Sequence, residues 1–132
     1  MWLKLALFAV LLPFILCISD EMKELAKMLH DTCQGESGVP EEMIQKACKG
    51  DFADDDRLKC YLKCMMMQMA VMNDEGVIDP DAVIAVLPDE LKDVLSGIIK
   101  TCGSKVGKDQ CENAWLTHKC YYEQSPENYF LF

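Results

Sequence analysis

Six cysteines, spaced Cys33-x26-Cys60-x3-Cys64-x37-Cys102-x8-Cys111-x8-Cys120, constrain this chain more than any other feature of its sequence. Whether they act as thiols or as disulfides depends on the compartment, and the N-terminus bears on that. Residues 1–19 carry one basic side chain, Lys4, then an apolar run from Leu5 to Cys17, and end in Cys17-Ile18-Ser19 ahead of the acidic Asp20. Small residues at the minus three and minus one positions make this a secretory signal peptide. Its apolar run of about 13 to 15 residues is short of the roughly 20 that a membrane-spanning helix needs. In an exported chain the cysteines read first as disulfides. Six cysteines allow 15 pairings, and spacing alone selects none of them. Cys60 and Cys64 lie one turn apart on one helix face, so each is expected to reach a different neighbouring element.

Cleavage after Ser19 removes Cys17 with the leader and leaves seven cysteines, an odd number. Cys48 is the candidate free thiol, because it follows Ile44 and Ala47 at helical spacing and would act there as a small buried hydrophobe. A thiol that joins two chains is the alternative. The 22 acidic and 13 basic residues give a net charge of −9, which becomes −10 once Lys4 is lost. No basic face is available for a nucleic acid or an anionic membrane. Residues 20–132 have the length of a single domain, which needs added stabilisation if part of its interior is a cavity.

Helical punctuation runs the length of this domain. Asp20 caps a first helix to about Thr32, with Met22, Leu25, Ala26 and Leu29 as its apolar stripe, and a Gly- and Ser-containing loop spans residues 34–39. Pro40 suits the first position of a second helix, with Glu41 and Glu42 at its positive end, and Gly50 ends it. The acidic run 54–56 opens a third helix that reaches about Met72, before the turn Asn73-Asp74-Glu75-Gly76. A fourth helix starts after Asp79 with Pro80 in its first turn and stops at Leu87, because the residue before Pro88 is pushed out of helical geometry. A fifth runs from Asp89 or Glu90 to Cys102 and ends at Gly103. A sixth runs from about Asp109 to Glu123, and Pro126 begins a tail, residues 124–132. No strand alternation and no internal repeat is present.

The spacing, together with Lys59-Cys60-Tyr61-Leu62-Lys63-Cys64, Leu87-Pro88-Asp89-Glu90-Leu91 and Ala114-Trp115 to His118-Lys119-Cys120-Tyr121, resembles the six-cysteine insect odorant-binding proteins over essentially the whole mature chain. The resemblance implies an all-α bundle of about six helices around an apolar cavity. It also implies an interlocked pairing of Cys33 with Cys64, Cys60 with Cys111 and Cys102 with Cys120. Cys48 departs from the family pattern. The function implied is a secreted carrier of small hydrophobic molecules through a fluid such as sensillar lymph, toward olfactory receptors on sensory-neuron membranes, as a monomer or weak homodimer.

On the third helix Leu62, Met65, Met66, Met69 and Met72 recur at steps of three and four. Periodicity alone favours ordinary core, since such stripes face the core. Methionine also recurs at adaptable apolar binding surfaces, and the resemblance turns this face toward the cavity. It adds Leu58, Val83, Val86, Val94, Ile98 and Trp115 to the wall, with the tail residues Phe130, Leu131 and Phe132. Tyr129, Tyr122 and His118 are the candidates for orienting a ligand head group.

Two histidines, His30 and His118, and the lack of a Gly-x-Ser-x-Gly elbow argue against an enzyme. Cys60, Cys64, His118 and Cys120 superficially resemble zinc ligands, but export leaves such thiols oxidised. In a calcium-loop register on Gly76, positions one and twelve fall on Val71 and Ala82, which cannot ligate. No metal and no cofactor is expected. The rival reading is a secreted helical defence or inhibitor protein acting through its surface, although the acidic chain lacks the basic amphipathic face of a membrane-disrupting peptide. The tail is expected either to act as a lid or to pack permanently on the outside, since chain ends are ordered where something ties them down. His118 is the nearby group whose unperturbed charge changes between pH 5 and 8, with Glu123 and Glu127 as coupling partners, so acid is expected to alter tail docking.

Overall fold

The structure, a computed structural model, describes residues 20–129, with side chains from Lys23 onward. The leader, the side chain of Met22, and the tail residues Phe130, Leu131 and Phe132 lie outside the described residues. In chain order the elements are α1 (Asp20–Ser37), α2 (Glu41–Cys48), α3 (Asp56–Gln68), α4 (Pro80–Val86), α5 (Asp89–Cys102), α6 (Gln110–Gln124) and a 3-10 turn (Pro126–Asn128). The fold is all-helical; extended pairing among the described residues is confined to an antiparallel bridge between Met72 and Ile78.

Local chemistry accounts for most helix ends. Asp55, Asp79 and Asp109 each accept a backbone N–H of the first turn, from Arg57, Asp81 and Glu112 at 2.8, 3.0 and 2.8 Å. Such caps contribute about 1 kcal/mol each. Leu87 is extended at φ −72°, ψ 149° ahead of Pro88, so α4 stops there and α5 begins anew at Asp89. Pro40 caps α2 from just outside rather than occupying its first turn, and accepts the Met43 N–H at 3.0 Å.

Two boundaries move because tertiary contacts override local signals. α1 does not stop near Thr32; it carries Gly35 in its last turns and ends where Gly38 adopts φ 72° and donates to the Gln34 carbonyl. The Cys33–Cys64 bond holds that last stretch against α3, and Val39, 2% exposed, is drawn into the core behind it. α3 ends at Gln68 rather than Met72. Ala70 at φ 60° reverses the chain, the Val71 N–H donates back to Met66, and Asp79 donates to Val71. This reversal buries Val71, Met72 and Ile78, an apolar gain that a continuing helix would forfeit. The expected α1 stripe is also corrected: Leu25 is 55% exposed, whereas Leu29 packs on the core.

α3 is the centre of the bundle and packs against both α1 and α6. Leu58, Tyr61 and Leu62 on it are fully buried, against Ile44 and Ala47 of α2 and Ala114 of α6. Two disulfides leave α3 in different directions, Cys33–Cys64 to α1 and Cys60–Cys111 to α6, and Cys102–Cys120 ties α5 to α6. Their sequence separations of 31, 51 and 18 residues correspond to about 3 to 4 kcal/mol each on the loop-entropy model, with the interlocked loops not strictly additive. Cys48 has no disulfide partner among the described residues. It sits half-buried at the end of α2 rather than inside the core, and burial, then the negative charge of Glu41, pushes its thiol up.

Non-reducing peptide mapping is therefore expected to return the three bonds above and Cys48 as a slowly alkylated thiol; Cys48 in a major intramolecular disulfide would contradict this. Cys48→Ser should fold, whereas loss of Cys60 or Cys111 should cost about 2 to 5 kcal/mol in denaturant titration. Gly50 provides an independent check on α6 docking. Its φ is 93°, and an added Cβ would fall 2.2 Å from the Tyr122 ring, whose hydroxyl donates to the Lys49 carbonyl at 3.1 Å. Gly50→Ala is expected to destabilise by about 2 to 4 kcal/mol, from left-handed strain and overpacking together.

Candidate functional site

A cavity lies between the second half of α3, the α4–α5 pair, α6 and the 3-10 turn, with about 840 Å³ of atom-free space counting its open mouth. α3 supplies Met65 and Met66, with Met69 and Val71 following it; α4 supplies Val83, Val86 and the adjacent Leu87; α5 supplies Leu95, Ile98 and Ile99. The remaining wall is polar-aromatic: His118 and Tyr121 from α6, then Ser125, Asn128 and Tyr129. No acidic side chain, lysine or arginine stands among the described lining residues. Such a wall accepts apolar surface readily and leaves a few polar groups to orient a guest.

Of the residues singled out in the sequence, Met65, Met66, Met69, Val83, Val86, Ile98, His118 and Tyr129 are brought together on this wall. Leu58 and Leu62 are not: both are wholly buried in the core, nearer the start of α3 than the cavity is. Met72 is buried at the Ile78 bridge. Val94 is 52% exposed, since one residue turns a helix by about 100° and the inward face of α5 is set by Leu95, Ile98 and Ile99. Trp115 is structural: its indole N–H donates to the Ala53 carbonyl at 3.1 Å, and the Lys59 and Lys119 ammoniums lie 4.5 and 4.4 Å from its ring centroid. Lys59 is itself buried and is balanced by Asp54 at 2.6 Å. Tyr122 turns away toward Lys49. Phe130, Leu131 and Phe132 lie outside the described residues.

Sequence reasoning missed Val71 and Leu87, Leu95 and Ile99 on α5, and Tyr121, Ser125 and Asn128 at the polar end. The α5 pair follows a three- and four-residue repeat through Leu91, Leu95, Ile98 and Ile99. On α6 the signal is His118, Tyr121 and Ser125 on one face, hard to see because the face mixes polar and aromatic residues.

Behind α6 the chain folds back on itself. Asn128 Nδ2 donates to Ser125 Oγ at 2.9 Å, and Tyr129 Oη shares a 2.9 Å hydrogen bond with His118 Nδ1. The Tyr129 ring meets Phe52, Tyr122 and His118 edge-on at 5.7, 5.7 and 5.9 Å between centroids. Burial lowers the His118 imidazole from 6.5 to about 4, so it is neutral at physiological pH. That corrects the expected titration between pH 5 and 8. Glu123 and Glu127 do not act on it either: burial is the cause of the shift, and the Glu127 carboxylate accepts from Ser125 Oγ at 3.3 Å. Burial likewise pushes the Tyr129 phenol well above its ordinary value.

Comparison with known proteins agrees with this architecture. Residues 17–124 match the model of the PBP/GOBP family. General odorant-binding protein 69a of Drosophila melanogaster is 31% identical over 105 residues, covering 79% of this chain and 71% of that one. Odorant binding protein 5 of Apis mellifera superposes with a TM-score of 0.79 at 26% identity, covering 87% of this chain and 98% of that one. Odorant Binding Protein 7 from Anopheles gambiae, with four disulfide bridges and in complex with an azo compound, gives 0.73 at 33% identity, over 83% and 90% of the two chains. The family-model match spans most of the chain and the relatives share its helical fold, so this chain belongs to the PBP/GOBP family of insect odorant-binding proteins.

Proposed function

We propose that this chain is a secreted, non-catalytic carrier that holds a small hydrophobic molecule in the cavity between α3 and α6 and conveys it through aqueous extracellular fluid toward olfactory receptors. The observation that carries the reading is the wall itself, three methionines and a set of aliphatic side chains with no acid, lysine or arginine among them. Removing apolar surface from water is worth roughly 25 cal/mol per Å², so a hydrophobic guest gains most where nothing charged must be desolvated. The leader at residues 1–19 supports export, and the azo compound held by the Anopheles relative supports a small-molecule guest.

In this reading residues 124–132 form a lid hinged after α6. Its closure rests on the Tyr129–His118 hydrogen bond and the aromatic edges around Tyr129, together a few kcal/mol by the usual values for such contacts. Acid opens it through His118. Above about pH 6.5 the imidazole is neutral whether the tail is docked or not, and closure is unaffected. Between 6.5 and about 4 an opened tail that admits water lets His118 bind a proton that the closed form refuses, so closure weakens as pH falls.

Titration of the delipidated protein with the fluorescent probe N-phenyl-1-naphthylamine should give saturable, displaceable binding. Met69→Glu, placing a carboxylate on the wall, should weaken it at least about 10-fold, the scale set by an unpaired buried charge, while Val94→Glu, off the wall, should not; equal effects would reject the cavity as the site. Deleting residues 125–132 should speed probe dissociation at neutral pH, and unchanged release would remove the lid. Stopped-flow release from the intact chain should be flat above about pH 6.5 and accelerate toward pH 4. In His118→Gln that acid-dependent part should disappear.

A further inference from the structure

Among the described residues, the polar end of the cavity contains one buried side-chain group without a hydrogen-bond partner. The Tyr121 hydroxyl oxygen is buried and makes no hydrogen bond among the described residues. Its neighbours are otherwise satisfied: His118 and Tyr129 hydrogen-bond one another, Asn128 donates to Ser125, and Ser125 Oγ reaches Glu127. The Tyr121 ring is held edge-on to His118 at 5.5 Å, so the phenol is fixed in the wall rather than free to swing into solvent. Buried polar groups in proteins are nearly always paired, and an orphan in a cavity wall calls for an explanation.

Resting on the carrier reading above, we propose that Tyr121 is the specificity-determining residue of the cavity, donating its hydroxyl to a neutral oxygen acceptor on the ligand, such as a ketone, aldehyde or ester carbonyl. A phenol is a strong donor, and burial pushes the Tyr121 hydroxyl above its ordinary value, so it keeps its proton to donate. Met65, Met66 and Met69 of the same cavity wall are flexible side chains that can give way as a ligand tip enters. The same surroundings disfavour a carboxylate of equal chain length. Its charge would enter a wall with no lysine or arginine, where the imidazole of His118 is neutral at physiological pH. A carboxylic acid would enter only as its neutral form, so its affinity relative to that of a ketone should rise with acid.

The test displaces the fluorescent probe from the intact mature chain with undecane, 2-undecanone and undecanoate, in the wild type and in Tyr121→Phe. The ratio of ketone to hydrocarbon affinity is expected to fall about 3- to 10-fold in the variant, the worth of one net hydrogen bond. Undecane affinity should be unchanged, which certifies that the cavity is intact. At about pH 7.5 undecanoate should bind more weakly than the ketone, and should gain relative to the ketone as the pH approaches the carboxylate range, a ratio that lid opening does not alter. An unchanged ketone-to-hydrocarbon ratio, an equal loss for both ligands, or undecanoate binding above the ketone at neutral pH would each overturn the assignment. Absence of probe and undecane binding in the wild type would strike the carrier reading itself and take this inference with it.

Discussion

Helix α3 is anchored from two successive turns to two different neighbours, through Cys64 to α1 and through Cys60 to α6, and the remaining structure is arranged around that double anchor. Cross-linking stabilises chiefly by restricting the unfolded chain, so its contribution does not depend on filling the interior. A cavity of this kind costs packing contacts that a filled core would make. The disulfides offset that cost without occupying the space, which is why the half of α3 nearest its start can be solid core while the half nearest its end is free to line a void.

The division along α3 also separates two kinds of chemistry. Near its start, Leu58, Tyr61 and Leu62 are wholly buried, and Lys59 sits close to the Trp115 ring, balanced by Asp54. Those groups are mutually satisfied and leave nothing for a guest to bind. Near its end the methionines meet α5 and the polar face of α6, where His118 and Tyr129 close on each other and the Tyr121 hydroxyl is left over. Structural polar groups thus pair internally, and the unpaired one among the described residues belongs to a side chain of the cavity wall.

The fold was legible in the sequence to the extent that its determinants are local. Caps at Asp55, Asp79 and Asp109, the Leu87-Pro88 break and Gly103 act within a few residues, and the helices they bound were expected close to where they occur. Boundaries failed where a distant contact decided. α1 outruns its expected end while tethered at Cys33, and α3 stops early so that Val71 and Met72 can be buried. The wall was legible as a composition more than as a list. Methionine periodicity identified Met65, Met66 and Met69, but no pattern separated Val94 from Leu95 or withdrew Trp115 into its two-lysine environment.

The sequence by itself determined the helical content, the acidic surface, the six-cysteine framework and the odd cysteine at position 48, because each follows from residue type and spacing along the chain. Only the tertiary structure decided the rotation of α5 about its axis, the burial that holds His118 neutral at physiological pH, and the isolation of the Tyr121 hydroxyl. The physical reason is common to all three: each depends on which atoms of other elements exclude water from a given group, and exclusion of water is a property of the packed assembly rather than of any segment.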